Sequence, residues 1–301
     1  MQVTVAKTAG FCFGVRRALE LTQKSAALSP TCTLGELIHN RQVVEELAGQ
    51  GVTVIERPED APAGTAVVIR SHGVGPQVYD TLRAQGSPVI DATCPFVKRI
   101  HQIAAEVPEN GLLLLAGRRE HPEVQGILGY CRGQALVFSS AEEMQELLAF
   151  LPSDGNIPVI LAAQTTFSLR EWEKILFFAK KVCTNLKVFD TICRATIERQ
   201  SEAKQLAQSA DAIVVVGGLH SANTTALAAL CGSYCPTVQV ETADQLERHR
   251  EALRGARFIG ITAGASTPAC IIKEVQNSMS VLENNTEEMN FGELLDQYSK
   301  S

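Results

Sequence analysis

Apolar residues fall in short runs along this chain, and longer stretches of helical periodicity separate them. Strand-like runs are predicted at Val3–Val5, Val52–Ile55, Ala66–Ile69, Leu112–Leu115, Val159–Leu161, Ala212–Val216 and Phe258–Ile261. Between them, Val15–Ala26, Gln42–Gln50, Gln77–Gln85, Ala141–Leu148, Ser168–Val182, Ile197–Ala207 and Ala243–Leu253 read as amphipathic helices. Alternation of this kind predicts an α/β protein with parallel sheets covered by helices. Turns rich in Gly and Pro, such as Gly49-Gln50-Gly51 and Pro152-Ser153-Asp154-Gly155, separate the elements.

The pattern repeats. A strand-like pair, Val89-Ile90, leads into Asp91-Ala92-Thr93-Cys94-Pro95, and a helix-like segment opens there. Thr8-Ala9-Gly10-Phe11-Cys12 and Asp190-Thr191-Ile192-Cys193 stand in the same setting. At a helix start, free N–H groups and the dipole favour a thiolate at each cysteine. Twenty-seven residues beyond Cys12, Cys94 and Cys193 lie His39, His121 and His220. A further polar loop follows in each repeat: Arg70-Ser71-His72-Gly73, Gln164-Thr165-Thr166, and Thr262-Ala263-Gly264-Ala265-Ser266. The expectation is three similar units, 10–92, 93–191 and 192–281, with 1–9 as an N-terminal strand free to pair elsewhere. Their polar loops would lie at strand carboxyl ends, where open α/β sheets bind ligands. Residues 282–301 read as a polar tail, with Phe291–Leu295 as a short final helix.

Composition narrows the class. At 301 residues, with 45% hydrophobic and 20% charged residues, the chain can bury a large core. No apolar run reaches the roughly 20 residues needed to span a bilayer. Met1 leads straight into a strand-like run with no signal-peptide pattern, so a cytoplasmic globular protein is expected, with no membrane partner. A net charge of −6 argues against a general nucleic-acid binder. The nine cysteines are an odd number and form no disulfide framework.

Three cysteines in matched loops converge only if the units face one centre. Buried structural cysteines are the plain alternative for any one of them. Zinc usually takes four ligands at close-paired spacings, and the chain has no CxxC. A cluster held by three thiolates fits better, because it leaves one iron open to substrate. Cys32, Cys131, Cys183, Cys231, Cys235 and Cys270 are read as packing residues, although Cys231 and Cys235 could share a helix face. His39, His72 and His121, joined by Ser221, Asn223 and Ser266, suggest a ring of donors for an anion. Glu123 would place a carboxylate in that region, and a closing pocket would raise its pKa. Thr165 would orient a substrate hydroxyl or cap the helix at Ser168–Val182.

An ordered set of motifs gives these residues a relative. Gly10-Phe11-Cys12-Phe13-Gly14-Val15, His39-Asn40-Arg41, Ser71-His72-Gly73-Val74 and Asp91-Ala92-Thr93-Cys94-Pro95 form its first half. Glu120-His121-Pro122-Glu123-Val124, Gln164-Thr165-Thr166, Ile192-Cys193-Arg194-Ala195-Thr196 and Thr262-Ala263-Gly264-Ala265-Ser266 complete it. From about residue 3 to about 280 the chain resembles the LytB/IspH family of 4-hydroxy-3-methylbut-2-enyl diphosphate reductases. The resemblance implies three α/β/α units in a pseudo-threefold trefoil around a central [4Fe–4S] cluster. Cys12, Cys94 and Cys193 would ligate it, leaving one open iron for the substrate oxygen.

His39, His72, His121, Ser221, Asn223 and Ser266 would hold the diphosphate, with Asn40 and Thr166 nearby. Glu123 would protonate the allylic group and Thr165 would support the substrate hydroxyl. The implied reaction removes that hydroxyl with two electrons and two protons. It yields isopentenyl and dimethylallyl diphosphates, the last step of the non-mevalonate isoprenoid pathway. Ferredoxin or flavodoxin would supply the electrons. Three positions depart from the family pattern: Arg194 replaces an aromatic residue, Glu198 an asparagine and Ala222 a serine. Some relatives continue into an RNA-binding domain beyond such a tail. A quinolinate-synthase-like dehydratase and a non-catalytic iron–sulfur sensor remain as rivals.

Overall fold

The computed structural model describes residues 1–38, 40–149, 157–182 and 185–279. Twelve strands among them form three four-stranded sheets, every pairing parallel. The first sheet contains β2 (Thr31–Leu34), β3 (Thr53–Ile55), β4 (Ala66–Ile69) and β5 (Val89–Asp91), in the order β3-β2-β4-β5. The second contains β6 (Leu112–Ala116), β7 (Gln134–Phe138), β8 (Val159–Ala163) and β9 (Leu186–Val188), in the order β7-β6-β8-β9. In the third, β10 (Ala212–Val216), β11 (Thr237–Val240) and β12 (Phe258–Ala263) take the same order. Its fourth place goes to β1 (Gln2–Val5), which pairs with β12. The α/β architecture of parallel sheets and helices expected from the alternation is therefore present.

By contact, the chain separates into two compact units: Cys12–Ile197, and Met1–Phe11 together with the chain from Glu198 onward. In the first unit, β6 is the most deeply buried strand, with Leu112, Leu113, Leu114 and Leu115 all at 0% exposure. Its two faces feed different cores. Leu112 and Leu114 pack with Phe138, Met144 and Trp172, while Leu113 and Leu115 pack with Ile100, Val124 and Ile127. A strand buried on both faces must be apolar throughout, which is why this run stands out in the sequence. In the second unit, Val214, Val216, Ile259 and Ile261 form one core with Ile271 and Val275. There the Glu202 carboxylate accepts the Lys7 and Thr8 N–H groups, both at 2.8 Å, fixing the chain just after β1.

The helices begin where the local sequence permits. Pro76, Pro95 and Pro122 occupy first positions of α3 (Pro76–Ala84), α4 (Pro95–Ala105) and α5 (Pro122–Leu128), where a missing N–H costs nothing. The other helices are α1 (Phe13–Ala26), α2 (Arg41–Gly49), α6 (Ala141–Ala149), α7 (Leu169–Val182), α8 (Arg194–Ser209), α9 (Ala222–Gly232), α10 (Arg250–Leu253) and α11 (269–279).

Two expectations need correction. Ala243–Leu253 is not one α-helix, because Ala243–His249 winds as a 3₁₀-helix before α10. Leu246 and Leu253 anchor it to the core with Ala243 packed against them, and a local bond from Gln245 N–H to Thr242 O sets a tighter turn. Strands β2, β7, β9 and β11 were not predicted from apolar runs, and they are short or carry polar residues. The expected final helix at Phe291–Leu295 lies outside the described residues.

Candidate active site

Each sheet has the same topology, so each has a switch point between its two central strands. Connections leave in opposite directions there and open a crevice at the strand carboxyl ends. Equivalent hydrogen bonds fix the loops. Gly35, Gly117 and Gly217 follow β2, β6 and β10, and their N–H groups bind Ile55 O, Phe138 O and Val240 O. Counting four residues on from these glycines gives His39, His121 and Ser221. The structural counterpart of His121 is thus Ser221, one residue past the His220 that the cysteine spacing indicates. After β4, β8 and β12, four-residue turns close with Gly73 N–H to Arg70 O, Phe167 N–H to Gln164 O and Thr267 N–H to Gly264 O. They make Ser71, Thr165 and Ala265 equivalent, and likewise His72, Thr166 and Ser266.

Within the Cys12–Ile197 unit, Cys12 and Cys94 are the N-caps of α1 and α4, and Cys193 immediately precedes α8. Cys94 N–H donates to Ser71 O at 3.0 Å and Cys193 N–H to Thr165 O at 3.1 Å, which are equivalent bonds. Gly14 brings two of the thiols together: a Cβ there would meet Cys94 Sγ at 2.8 Å and Cys12 Sγ at 3.9 Å. Only glycine leaves that space. Cys193 Sγ lies 3.2 Å from Thr196 Oγ1. Burial pushes the Cys94 thiol up to about 11, against the opposing pull of the Phe96 and Val97 N–H groups. Cys12 and Cys193 are close enough to raise it further. Burial raises Cys193 too, with Cys12 and Glu123 acting in the same direction. The helix starts therefore do not make these two cysteines thiolates in the metal-free chain, contrary to expectation, because desolvation outweighs the N–H groups.

None of the eight cysteines among the described residues forms a disulfide. Cys32 and Cys231 are core residues, Cys131 and Cys235 are partly buried, and Cys270 is exposed, so it is not a packing residue. Cys183 lies outside the described residues. Cys235 falls beyond the end of α9, so Cys231 and Cys235 do not share its face. No three His, Cys, Asp or Glu side chains among the described residues surround a single ion. A polynuclear cluster spreads its ligands over several metal atoms. Three part-exposed cysteines, of which Cys94 and Cys193 are held as thiols by burial, suit such a group, whose positive iron would stabilise the thiolates.

Beside them sits the acid. His121 caps α5, its Nδ1 accepting Glu123 N–H at 3.1 Å, and its ring meets that of His72 edge to face at 5.4 Å. Glu123, 1% exposed, accepts Thr165 N–H at Oε1 and the Thr165 hydroxyl at Oε2, both at 2.7 Å. Burial raises its carboxyl to about 7, and the two Thr165 bonds resist the rise. A half-protonated carboxyl near neutral pH can donate or hold a proton. Thr165 is bonded to Glu123, and Ser168 offers its Oγ to Glu171 N–H at 3.4 Å, so the capping alternative for Thr165 falls. Thr166 Oγ1 accepts from Gln164 Nε2 at 3.0 Å, and Asn40 caps α2 through Val43 N–H at 3.1 Å. His39 lies outside the described residues.

In the other unit, Ser221 caps α9 by accepting Thr224 N–H at 3.4 Å. Asn223 is 5% exposed, and its Nδ2 has no partner among the described residues. Ser266 is buried in the turn after β12. Sequence reasoning missed the spacing role of Gly14 and the thiol contact of Thr196. Their signals were a glycine two residues after Cys12 and a hydroxyl three after Cys193.

These features define an α/β protein of repeated parallel sheets with three part-exposed cysteines at helix starts and a buried, proton-bearing carboxyl in the same unit. The LytB protein family profile matches residues 3–280. The 4-hydroxy-3-methylbut-2-enyl diphosphate reductase of Caldanaerobacter subterraneus subsp. tengcongensis is 40% identical over 297 residues, covering 95% of this chain and 99% of the relative. That of Geobacter sulfurreducens is 41% identical over 288 residues, covering 94% and 99%. A solved structure of (E)-4-hydroxy-3-methyl-but-2-enyl diphosphate reductase, the terminal enzyme of the non-mevalonate pathway, is 38% identical with a TM-score of 0.65 and covers 93% of this chain and 99% of its own. The E-1-hydroxy-2-methyl-but-2-enyl-4-diphosphate reductase from Plasmodium falciparum is 26% identical with a TM-score of 0.85, covering 92% and 87%. The chain belongs to the LytB protein family.

Proposed function

We propose that this chain is an oxidoreductase that converts 4-hydroxy-3-methylbut-2-enyl diphosphate to isopentenyl and dimethylallyl diphosphates, the last step of the non-mevalonate isoprenoid pathway. The observation that carries the reading is the buried Glu123–Thr165 pair in the same unit as three part-exposed cysteines at helix starts. A [4Fe–4S] cluster held by Cys12, Cys94 and Cys193 would supply single electrons and a Lewis-acidic iron. The rest falls to side chains. Glu123, raised to about 7, holds a proton that its Thr165 partner keeps aimed, and it gives that proton to the departing hydroxyl oxygen. Thr165 supports that hydroxyl. Overall, a C–O bond breaks and a C–H bond forms at the allylic system, two electrons and two protons are consumed, and water leaves.

The diphosphate donors are His39, Asn40, His72, His121, Thr166 and, in the other unit, Ser221, Asn223 and Ser266. Neutral imidazole, hydroxyl and amide donors can hold an anion without a lysine cluster, which reconciles diphosphate binding with a net charge of −6. Remote binding of the diphosphate would position the reacting C–O bond. The electron donor is a ferredoxin or flavodoxin, and the setting is the cytoplasm. No helix among the described residues is long and apolar enough to cross a membrane. The test is anaerobic reconstitution with iron and sulfide, then spectroscopy with and without the allylic diphosphate and product analysis under a reduced viologen dye. A cluster signal perturbed by substrate, together with both isopentenyl products, is expected. An intact cluster that yields neither product would overturn the reading.

A further inference from the structure

The loops that end in Cys94 and Cys193 run in the same register, Asp91-Ala92-Thr93-Cys94 and Asp190-Thr191-Ile192-Cys193, but they are fastened differently. Two residues before Cys193, the buried Thr191 hydroxyl donates to Ala163 O at 2.6 Å and accepts Ala163 N–H at 2.8 Å, which holds that loop to β8. The equivalent residue before Cys94 is Ala92, which has no hydroxyl. There the hold comes from another element. Arg17, half-buried on α1, sends its guanidinium to two main-chain carbonyls of the loop: Nη1 donates to Thr93 O at 3.3 Å and Nη2 to Asp91 O at 3.4 Å. Each bond is long, but a planar fork that meets both carbonyls at once sets direction as well as distance. The Asp91 carboxylate is engaged elsewhere, accepting Thr93 N–H at 2.9 Å and pairing with Lys98 of α4 at 2.6 Å. Cys12 caps α1, Cys94 caps α4, and Gly14 leaves the Cys94 sulfur room against α1. One side chain thus joins the helix behind Cys12 to the loop in front of Cys94.

We propose that Arg17 is a positioning residue for the metal centre, tying the Cys12 helix to the Cys94 loop so that two of the three cysteines keep a fixed spacing. The inference rests on the reductase reading, which assigns those cysteines to one cluster. Groups just outside a metal's ligands orient the ligands, and altering them weakens metal retention by about 10- to 100-fold. Arg17 stands in that relation to Cys94, because its two bonds bracket the stretch that delivers the sulfur. The Cys193 loop needs no such tether, since Thr191 already anchors it to its own sheet.

The test has a metal-free arm and a loaded arm. In the metal-free Arg17→Met chain, hydrogen exchange read by mass spectrometry should quicken about tenfold in peptides covering 12–20 and 91–98, while β6 and β8 exchange as in wild type. In protein reconstituted anaerobically with iron and sulfide, release of iron to a ferrous chelator should be about tenfold faster in Arg17→Met. Arg17→Lys should fall between the two, since one ammonium cannot span both carbonyls. Unchanged exchange in both peptides overturns the proposal. So does exchange that quickens evenly across the Cys12–Ile197 unit, which would make Arg17 a general stabiliser of the fold, and so do wild-type rates of iron release in Arg17→Met. Wild-type protein that takes up no iron and sulfide would sink the reductase reading and leave the exchange arm to decide the tether.

Discussion

The loops after β6 and β10 leave their strands through the same backbone bond and reach a side-chain helix cap four residues later, at His121 and Ser221. Two residues beyond the cap, one carries Glu123 and the other Asn223, both buried. The turn facing each differs in the same sense: Thr165 grips the Glu123 carboxylate, while Ala265 at the equivalent position has no hydroxyl. One loop frame thus serves two purposes. In the second repeat it shelters an ionisable proton; in the third it presents an uncharged amide suited to an anion. The backbone sets where a side chain stands, and a single residue choice decides whether that place does proton chemistry or recognition.

The largest effect should come from making the two loops alike. Glu123→Gln keeps the shape and removes the proton, so turnover should drop about 10²- to 10⁴-fold while cluster absorbance and substrate binding persist. Near-normal turnover under viologen would strip Glu123 of its role. A second effect separates the loops in the metal-free protein. The Glu123 carboxyl rises from 4.5 to about 7 on folding, so the folded chain holds this proton more tightly than the unfolded chain. Its favourable contribution is complete below about pH 4.5 and disappears as pH climbs through 7. In urea titrations, wild type should lose about 3 kcal/mol relative to Glu123→Gln across that window. A constant difference between the two proteins would contradict the buried-acid account. The smallest effect tests the other loop: Asn223→Asp puts a carboxylate where an anion is proposed to bind. The KM for the allylic diphosphate should rise about tenfold with kcat little changed, roughly 1.4 kcal/mol of lost binding. An unaltered KM would remove Asn223 from the diphosphate donors.

How far these loops were legible depended on what was locally encoded. The leucine run of β6 and the valine run of β10 announce strands because both faces of each are buried. Strand β2, Thr31-Cys32-Thr33-Leu34, is buried as deeply but carries two threonines. The Thr31 hydroxyl is satisfied by Ser25 at 2.7 Å, a bond no periodicity can foretell. The three cysteines were legible from repetition, and Glu123 from its place after His121. The register of the third repeat was not, since spacing from Cys193 selects His220, whereas the hydrogen bond of Gly217 selects Ser221. The ionisation of Cys94 was misjudged for a related reason. A helix start can be read from sequence, but the desolvation that overrides it depends on how distant segments close around the sulfur.

Strand β1 is made long before the strand it pairs with. Gln2 lines up with Phe258, so β1 has no edge to join until β12 has been synthesised, while every strand between Cys12 and Ile197 already has its partners. Early-made residues must therefore wait, unpaired, for the carboxyl-terminal portion to emerge. A change that displaced β1 would weaken the third sheet and spare the other two.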